Sequence, residues 1–291
     1  MTTLIVSHDA GGAEILSSWI KNKRFKQKMS YFLEGPAIDI FKKKIKNIEI
    51  INKKQLKSLK VNRILTGTSW ESDIEKKMVL YGRKNKITTC SFLDHWNNYN
   101  QRFTLNKKIN LPNIIYVSDK YAFKIAKNKF KNTQIRLTKN HYKSELLNKI
   151  KPRKKHVVKT ILYVSEPIRK HALKQHNDAM FWGYDEFSSL DYFFTCGKSF
   201  LQKNVKIIFR KHPSEKLSKY SNVLKRYSDN HKIVISNNKD LYKDINRSDI
   251  VVGNQSMAMV IALYAGRKAL SILPNFAHRV LPHKKIIYLN K

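Results

Sequence analysis

Short apolar runs alternate with amphipathic stretches along the first half of the chain. Apolar residues recur at helical spacing in residues 13–21, 71–85 and 120–129, which predicts helices there. Short apolar runs that alternate with helices are typical of βαβ units and a parallel sheet. The predicted strands of this half are TLIVS (3–7), MSYFL (29–33), IEII (48–51), RILTG (63–67), TTCSFL (88–93), NIIYVS (113–118) and QIRLT (134–138).

The same alternation restarts after a polar, basic segment, NKIKPRKKHVVK (148–159), which contains Pro152 and is a candidate linker. We therefore predict two α/β domains, 1–152 and 153–291, each Rossmann-like and facing the other across a central cleft. Ligands of such folds bind outside the carboxyl ends of the strands. The predicted strands of the second half are TILYVS (160–165), VKIIFR (205–210), KIVIS (232–236), DIVVG (249–253) and KALSIL (268–273), and the predicted helices are 184–202, 214–227, 240–247 and 256–265.

The amino-acid composition and net charge limit the classes of molecule that the chain is expected to bind. Of the 291 residues, 42% are hydrophobic, which is enough for two cores, and the formal net charge is +37. The excess is carried mostly by lysines scattered along the chain, a pattern of solvated faces rather than of a nucleic-acid footprint. Attraction to anionic lipid surfaces or to phosphorylated substrates needs no special motif, so both remain candidate partners.

The cysteines and the first residues favour a cytoplasmic protein. Cys90 and Cys196 are the only cysteines, which excludes a cysteine-rich zinc module and indicates a reducing setting. The start, MTTLIVSHDAGG, lacks the basic and long apolar regions of a signal peptide, and no uninterrupted apolar run reaches about 18 residues. We expect a cytoplasmic location, and the charge is compatible with peripheral contact at the inner face of a membrane.

The segment SHDAGGAE follows the first predicted strand and opens a helix. Gly11 and Gly12 allow a tight turn, and the first N–H groups of the helix suit a phosphate or a sugar oxygen. His8 and Asp9 are placed for acid or base chemistry, and Glu14 adds a carboxylate. The alternative is an ordinary strand–helix turn in which Asp9 caps the helix.

The segment FLDHWNNYNQRF is unusual because a strand ends in the pair Asp94 and His95, with Trp96, Tyr99 and Arg102 close behind. Turn chemistry explains the asparagines but not this set. Aromatic faces combined with amide and carboxylate groups suit a sugar or nucleobase pocket. The alternative is a structured loop in which Trp96 packs on the core.

The segment KIIFRKHPSE ends an apolar strand at Arg210, Lys211 and His212. Pro213 cannot continue a sheet ladder and keeps His212 out of the helical region, so the imidazole lies on a stiff turn. We predict that a helix begins at Ser214, which would complete a phosphate site of a histidine donor, cationic neighbours and helix N–H groups. A surface histidine in a basic loop is the alternative.

A second anion-binding corner follows the strand DIVVG. Gly253, Asn254, Gln255 and Ser256 lead into a helix of small residues, whose first N–H groups and the Ser256 hydroxyl are expected to face an anion. Placed beside His212, they would hold the same monophosphate or diphosphate.

These two corners resemble the C-terminal half of GT-B glycosyltransferases. The stretch RKHP is similar to the HP motif of bacterial sialyltransferases, polysialyltransferases and capsule Kdo transferases, which use CMP-sugars. The matching positions are His212, Pro213 and Ser256. YVSEP resembles the first strand end of that half, with Glu166 and Pro167 where capsule enzymes carry Gln-Pro or a similar pair. HDAGGAE is similar to the acceptor-side glycine loop.

The resemblance implies transfer of a sugar from a CMP-sugar to a hydroxyl of a saccharide or lipid-linked acceptor, in surface polysaccharide or glycoconjugate synthesis. His212, Arg210 and the N–H groups at Ser256 would stabilise the departing phosphate, with no metal and no cofactor beyond the nucleotide-sugar. The sialyltransferases carry an acidic pair before a glycine, and the nearest match, Asp9-Ala10-Gly11, lacks the middle acid. The general base is therefore Asp9 or Asp94.

The implied acceptor or sugar-binding residues are His8, Gly11, Gly12, Glu14, His95, Trp96, Tyr99 and Arg102. Two alternatives to glycosyl transfer stay open: a nucleotide-sugar 2-epimerase or hydrolase of the same fold, and a non-enzymatic binder of polyanions or nucleic acid that uses the lysines.

Overall fold

The computed structural model describes residues 2–23, 27–153, 158–197, 201, 205–274 and 279–290. The chain divides into two compact units, Met1–Ser144 and Glu145–Lys291. Within the described ranges, no helix is long and apolar enough to cross a bilayer.

The first unit is built on a six-stranded parallel sheet. Its strand order is β2-β1-β3-β4-β7-β8, so the chain reverses its direction across the sheet between β1 and β3. The elements are β1 (Thr2–Ser7), α1 (Ala10–Asn22), β2 (Lys28–Leu33), α2 (Ala37–Lys44), α3 (Lys53–Ser58), β3 (Val61–Thr66), α4 (Ile74–Lys84), β4 (Thr88–Phe92), β5 (Thr104–Leu105), β6 (Lys108–Ile109), β7 (Ile114–Val117), α5 (Lys120–Lys129), β8 (Gln134–Leu137) and α6 (His141–Leu147), which crosses the unit boundary.

The second unit repeats the design with a different strand order. Its parallel sheet runs β11-β10-β9-β12-β13-β14, and the chain reverses its direction between β9 and β12. The elements are β9 (Thr160–Val164), α7 (Ile168–His176), α8 (Glu186–Cys196), β10 (Lys206–Arg210), a 3-10 turn (Leu217–Tyr220), α9 (Ser221–Ser228), β11 (Lys232–Ile235), α10 (Leu241–Asn246), β12 (Ile250–Gly253), α11 (Met257–Tyr264), β13 (Lys268–Leu273) and β14 (Ile287–Asn290).

The apolar runs of the sequence lie where parallel sheets need them. Central strands such as β1 and β9 are buried on both faces, so nearly every side chain in them is apolar or small. The cores contain Ile5, Leu16 and Phe92 in the first unit, and Tyr163 and Phe209 in the second. The two Rossmann-like parallel sheets predicted from the sequence are confirmed.

One predicted strand is absent. Residues 48–51 form only an isolated bridge, between Ile50 and Tyr31 of the edge strand β2. The chain leaves the sheet directly afterwards because Asn52 caps α3: its side chain accepts from the N–H groups of Lys54 and Gln55. A strong helix cap thus ends an apolar run before it can pair further.

Two predicted helices have different bounds. No helix begins at Ser214, because the N–H of Glu215 donates to the carbonyl of His212 at 3.0 Å and closes a turn, so that helical structure starts only at the 3-10 turn. The helix predicted over 184–202 is α8, and residues 198–200 and 202 lie outside the described residues.

The proposed linker is docked on the second unit at both described ends. The N–H groups of Lys159 and Thr160 and the guanidinium of Arg153 all donate to Asp249, at 2.5–2.9 Å. Residues 154–157, in its middle, lie outside the described residues.

Gly82 lies where α4 packs closely on β4, so a substitution there tests this packing. A Cβ at Gly82 would lie 2.2 Å from Thr89 Cγ2 and 3.2 Å from the Ile87 carbonyl. Gly82→Ala should therefore lower the free energy of unfolding by roughly 1–3 kcal/mol, although alanine is the better helix former. The double variant with Thr89→Ser, which removes Cγ2 and keeps the hydroxyl, should recover most of the loss in denaturant unfolding. A stabilised single variant would contradict the packing.

Candidate functional site

Two turns lie close together at the carboxyl ends of strands in the second sheet: His212–Pro213, the His-Pro corner, and Asn254–Ser256, the Asn-Gln-Ser corner. β10 and β12 flank β9, and consecutive residues after β9 bond to both corners. The hydroxyl of Ser165 accepts from the N–H of His212 at 3.0 Å. The carboxylate of Glu166 accepts from the N–H groups of Asn254 and Gln255 at 3.1 and 2.7 Å. Both corners therefore lie side by side at the carboxyl ends of the strands, where the strand order reverses.

The His-Pro turn holds the imidazole in one orientation. Nδ1 of His212 lies 2.8 Å from the Ser214 hydroxyl and accepts from the Ser214 N–H at 3.3 Å. Since a backbone N–H can only donate, the neutral ring carries its hydrogen on Nε2. Beneath the turn, Glu215 accepts from Ser165 and from the Tyr220 hydroxyl, at 3.4 and 2.7 Å. These buried bonds present Nε2–H as a donor for an anion.

The N-terminus of α11 already has an anion against it. Besides Asn254 and Gln255, the N–H of Ser256 also bonds to Glu166. Burial raises the pKa of Glu166 to about 7, with a further contribution from the charge of Glu215, while the three N–H bonds lower it. The amides predicted to be open for a phosphate thus donate to a carboxylate whose pKa burial raises.

The other residues of this corner have structural partners. A Cβ on Gly253 would lie 2.7 Å from Val164 Cγ2, so only glycine allows β12 this close to β9. The buried Asn254 amide donates to Ser189 and to the Ile272 carbonyl, at 2.9 and 2.6 Å. Ser256 caps α11 by accepting from the N–H of Ala258 at 3.1 Å.

Arg210 is engaged inside the second unit. Its guanidinium donates to the buried carboxylate of Asp244 at 2.6 Å and to the carbonyls of Asn238 and Lys239 at 2.7 and 3.0 Å. These bonds hold the segment between β11 and α10 in place. The phosphate contact expected of Arg210 stays a prediction, and in this structure its guanidinium neutralises a buried carboxylate that needs a paired cation.

In the first unit, a cluster of titratable groups lies after β1, where its strand order reverses. His8 Nδ1 is 2.7 Å from Asp9 Oδ1, and the ring packs over Gly35, which has a φ of 55°. The His8 N–H donates to Glu75 at 2.8 Å. Asp9 precedes α1 without a side-chain capping bond, because its carboxylate is turned to His8.

Glu75, in the first turn of α4, is a buried acid that sequence reasoning did not select. Its side chain is 2% exposed, and its second oxygen, Oε2, has no hydrogen-bond partner among the described residues. Burial raises the pKa of Glu75 to about 7; the Asp9 charge raises it further, and the bond from His8 lowers it. This buried carboxyl lies at the carboxyl end of β1, against the N–H of His8.

Asp94 belongs to a buried ion pair. Its Oδ1 lies 2.5 Å from Arg102 Nη1, which also donates to the hydroxyl and the carbonyl of Thr68 at 3.1 and 3.2 Å. A Cβ on Gly11 would lie 2.0 Å from Asp94 Oδ2, so the carboxylate rests against the first turn of α1. The base predicted at Asp94 and the ligand contact predicted at Arg102 are thus engaged with each other.

The aromatic residues of the same loop pack inward. Trp96 is 7% exposed, and its indole N–H donates to the Asp119 carboxylate at 3.0 Å. Tyr99 is buried and stacks on Phe130 at 6.2 Å, and burial raises its pKa. His95 lies edge-on to Trp96 at 5.4 Å. The loop therefore agrees with the alternative in which Trp96 packs on the core. Tyr99 packs on the core as well.

The remaining acceptor-side candidates lie in α1. A Cβ on Gly12 would lie 2.9 Å from the Thr68 nitrogen, so the glycine allows α1 to touch the loop after β3. The carboxylate of Glu14 pairs with the ammonium of Lys44, on α2. Both residues thus join elements of the first unit.

Solved structures share this architecture. No protein-family model and no curated protein sequence matches the chain. An S. aureus MnaA–UDP structure matches 93% of this chain and 79% of its own, with a TM-score of 0.64 and 10% identity. A UDP-GlcNAc 2-epimerase from Neisseria meningitidis bound to UDP-GlcNAc matches 95% and 84%, with a TM-score of 0.65 and 12% identity. MurG from Acinetobacter baumannii matches 95% and 80%, at 0.52 and 12%. The chain has a GT-B-like fold. None of these three structures is a sialyltransferase or a Kdo transferase, the families that the HP motif resembles.

Glu75 and Ser165 hold the strand ends of this GT-B-like fold and were not selected from the sequence, whereas Glu166 was noted only through the YVSEP resemblance and not as a site residue. Ser165 and Glu166 directly follow an apolar strand, so the strand-end rule applied to β9 would have found both. Glu75 has the sequence signature of an acid that complements a helix dipole, and only its burial distinguishes it.

The raised pKa of Glu75 makes stability depend on pH. The folded protein holds a proton that the unfolded chain releases near its ordinary pKa, so this contribution is full at low pH and is lost as pH rises through about 7. Glu75→Gln should reduce the loss of unfolding free energy between pH 5 and pH 8 by roughly 1–3 kcal/mol in urea titrations. The exposed Glu49→Gln should keep the wild-type slope. An unchanged slope in Glu75→Gln would refute the assignment.

Proposed function

We propose that this chain is an enzyme that binds a UDP-sugar through its second unit and acts on it as a 2-epimerase or hydrolase. The observation that carries the binding proposal is the pairing of the His212 and Asn254–Ser256 corners through Ser165 and Glu166. They adjoin at the reversal of a sheet with the order 3-2-1-4-5-6, the place where open α/β sheets bind nucleotides.

The choice of UDP rests on two of the similar structures. The S. aureus MnaA structure contains UDP, and the N. meningitidis enzyme, a UDP-GlcNAc 2-epimerase, is bound to UDP-GlcNAc. Both resemble this chain more closely in TM-score than the MurG structure does. They support UDP over the CMP expected from the HP motif, and epimerisation or hydrolysis over transfer.

The chemistry follows from where negative charge develops. When the bond between the sugar and the diphosphate breaks, charge grows on the leaving phosphate, and donors that tighten with that charge lower the barrier. The Nε2–H of His212 and the N–H groups of Asn254, Gln255 and Ser256 are such donors. For those amides to bind phosphate, Glu166 has to be protonated or to move aside, because two anions compete for one set of donors.

Inversion at a carbon that bears hydrogen requires proton removal and return. His8, Asp9 and Glu75 are groups that can carry protons, and they form a hydrogen-bonded cluster in the first unit. His8 and Asp9 are partly exposed, so they are the proposed proton carriers, and Glu75 fixes His8 from beneath. This cluster replaces Asp94, whose carboxylate is held by Arg102.

Glycosyl transfer to a hydroxyl is the second candidate. The His212–Pro213 turn favours it, since the same pair marks the CMP-sugar families that the sequence resembles. A protein that only binds polyanions is a weaker candidate, because it offers no reason for the ordered hydrogen bonds that hold His212 and Glu166.

Nucleotide binding is tested first by thermal shift and calorimetry. UDP-GlcNAc should raise the melting temperature, because a ligand that binds only the folded state stabilises it. His212→Ala should weaken binding roughly 10- to 100-fold through loss of one hydrogen bond to a charged group. His231→Ala is the matched control, because His231 precedes β11 and so lies at the amino ends of the parallel strands, whereas His212 follows β10 at their carboxyl ends. A shift with CMP-sugars alone, or equal binding by His212→Ala, would refute the proposal.

The same titrations should show that wild-type affinity for UDP-GlcNAc falls as pH rises above about 7, because the carboxylate form of Glu166 competes with phosphate. In Glu166→Gln this pH dependence should be reduced and affinity at pH 8 should rise. Weaker binding by this variant at pH 8 would show that the carboxylate assists the ligand instead.

Product analysis separates the two reactions. With UDP-GlcNAc alone in deuterated water, an epimerase should form the C2 epimer and exchange the C2 hydrogen for deuterium, and a hydrolase should release UDP, both visible by NMR. Glycosyl transfer predicts no change until an acceptor is added. Binding without any turnover, with or without a saccharide acceptor, would contradict both enzyme candidates.

A further inference from the structure

An apolar cluster projects from the second unit at the end of α7. Leu173, Met180 and Phe181 are 53%, 45% and 51% exposed. Single exposed apolar side chains are common, but these three lie within nine residues of one another. We call Leu173, Met180 and Phe181 the α7 tip.

The tip is held in a fixed shape. α7 ends at Asn177, which has a φ of 57°, and the N–H of Met180 donates to Asp178 at 2.8 Å. The ring of Phe181 stacks on His176 with 3.5 Å between centroids. The next residue, Trp182, packs against a buried cluster that includes Tyr184. Because the turn is anchored from inside, presenting Met180 and Phe181 to a partner costs little conformational entropy.

Cations are exposed on the helix that leads to the tip. Arg169, Lys170 and Lys174 are exposed on α7; Arg169 lies 3.9 Å from the Asp185 carboxylate, and Asp178, next to the tip, is bonded within the turn. The whole chain carries +37. A second copy of this chain would be repelled by that charge, whereas an anionic surface would be attracted.

We propose that the α7 tip docks the protein on an anionic lipid surface, with Met180 and Phe181 entering the headgroup region and the α7 cations contacting the headgroups. Apolar residues flanked by lysine and arginine are the composition of interfacial anchors. A nucleic acid fits less well. Phe181 is the tip's one exposed ring and already stacks on His176, so Leu173 and Met180 would contribute nothing to base stacking.

The test is sedimentation with vesicles of phosphatidylcholine alone or with about one-third phosphatidylglycerol. The wild type should bind the anionic vesicles, and binding should weaken with added salt. Met180→Ser/Phe181→Ser should lower the partition coefficient at least about tenfold, whereas the matched control Ile109→Ser/Leu137→Ser, with similarly exposed apolar residues in the first unit, should bind as the wild type does.

Equal binding of the two double variants would show that charge alone attracts the protein and would overturn the proposal, as would no binding of the wild type. Two further measurements exclude other partners: loss of single-stranded RNA binding or of self-association in Met180→Ser/Phe181→Ser, with vesicle binding unchanged, would also overturn it. Melting temperature and UDP-GlcNAc affinity without vesicles should be unchanged in this variant, so the docking test and the nucleotide test can fail independently.

Discussion

The strand ends of the second unit are held together by the carboxylate of Glu166, which accepts from the N–H groups of the loop that leads into α11. That contact ties the end of β9 to the corner after β12, and the neighbouring Ser165 ties β9 to the His-Pro turn after β10. A buried anion against a helix N-terminus is favourable, yet burial still raises the pKa of Glu166 to about 7. The carboxyl therefore holds these donors in place, and its protonation would weaken that hold.

The first unit has a similar arrangement at the place where its own strand order reverses. There the buried Glu75 accepts from the N–H of His8, and the pKa of this acid is again about 7. In both units the acid lies where the order of the strands reverses, because neighbouring connections leave on opposite faces there and open a crevice. In each unit, an acid held against backbone N–H donors has a raised pKa, so the stability of the fold depends on pH at both places.

The architecture was predictable because parallel strands buried on both faces read as short apolar runs, and the position of the two polar corners was predictable because they follow such strands. The hydrogen-bond and ion-pair partners of the polar residues were not predictable. Arg210 next to a histidine suggests phosphate binding until Asp244, 34 positions away, is seen to hold it. Asp94 suggests a base until Arg102 is seen beside it. Such pairings are decided by tertiary contacts that leave no periodic trace in a single sequence.

The most direct test of the account is the backbone NMR spectrum of the deuterated protein during titration with UDP. The account predicts that the amide signals of Asn254, Gln255 and Ser256 move as phosphate replaces the Glu166 carboxylate, together with the side-chain Nε2 signal of His212. If these signals stay in place at saturating UDP while amides elsewhere in the protein move, the nucleotide binds at another site and the central claim is contradicted.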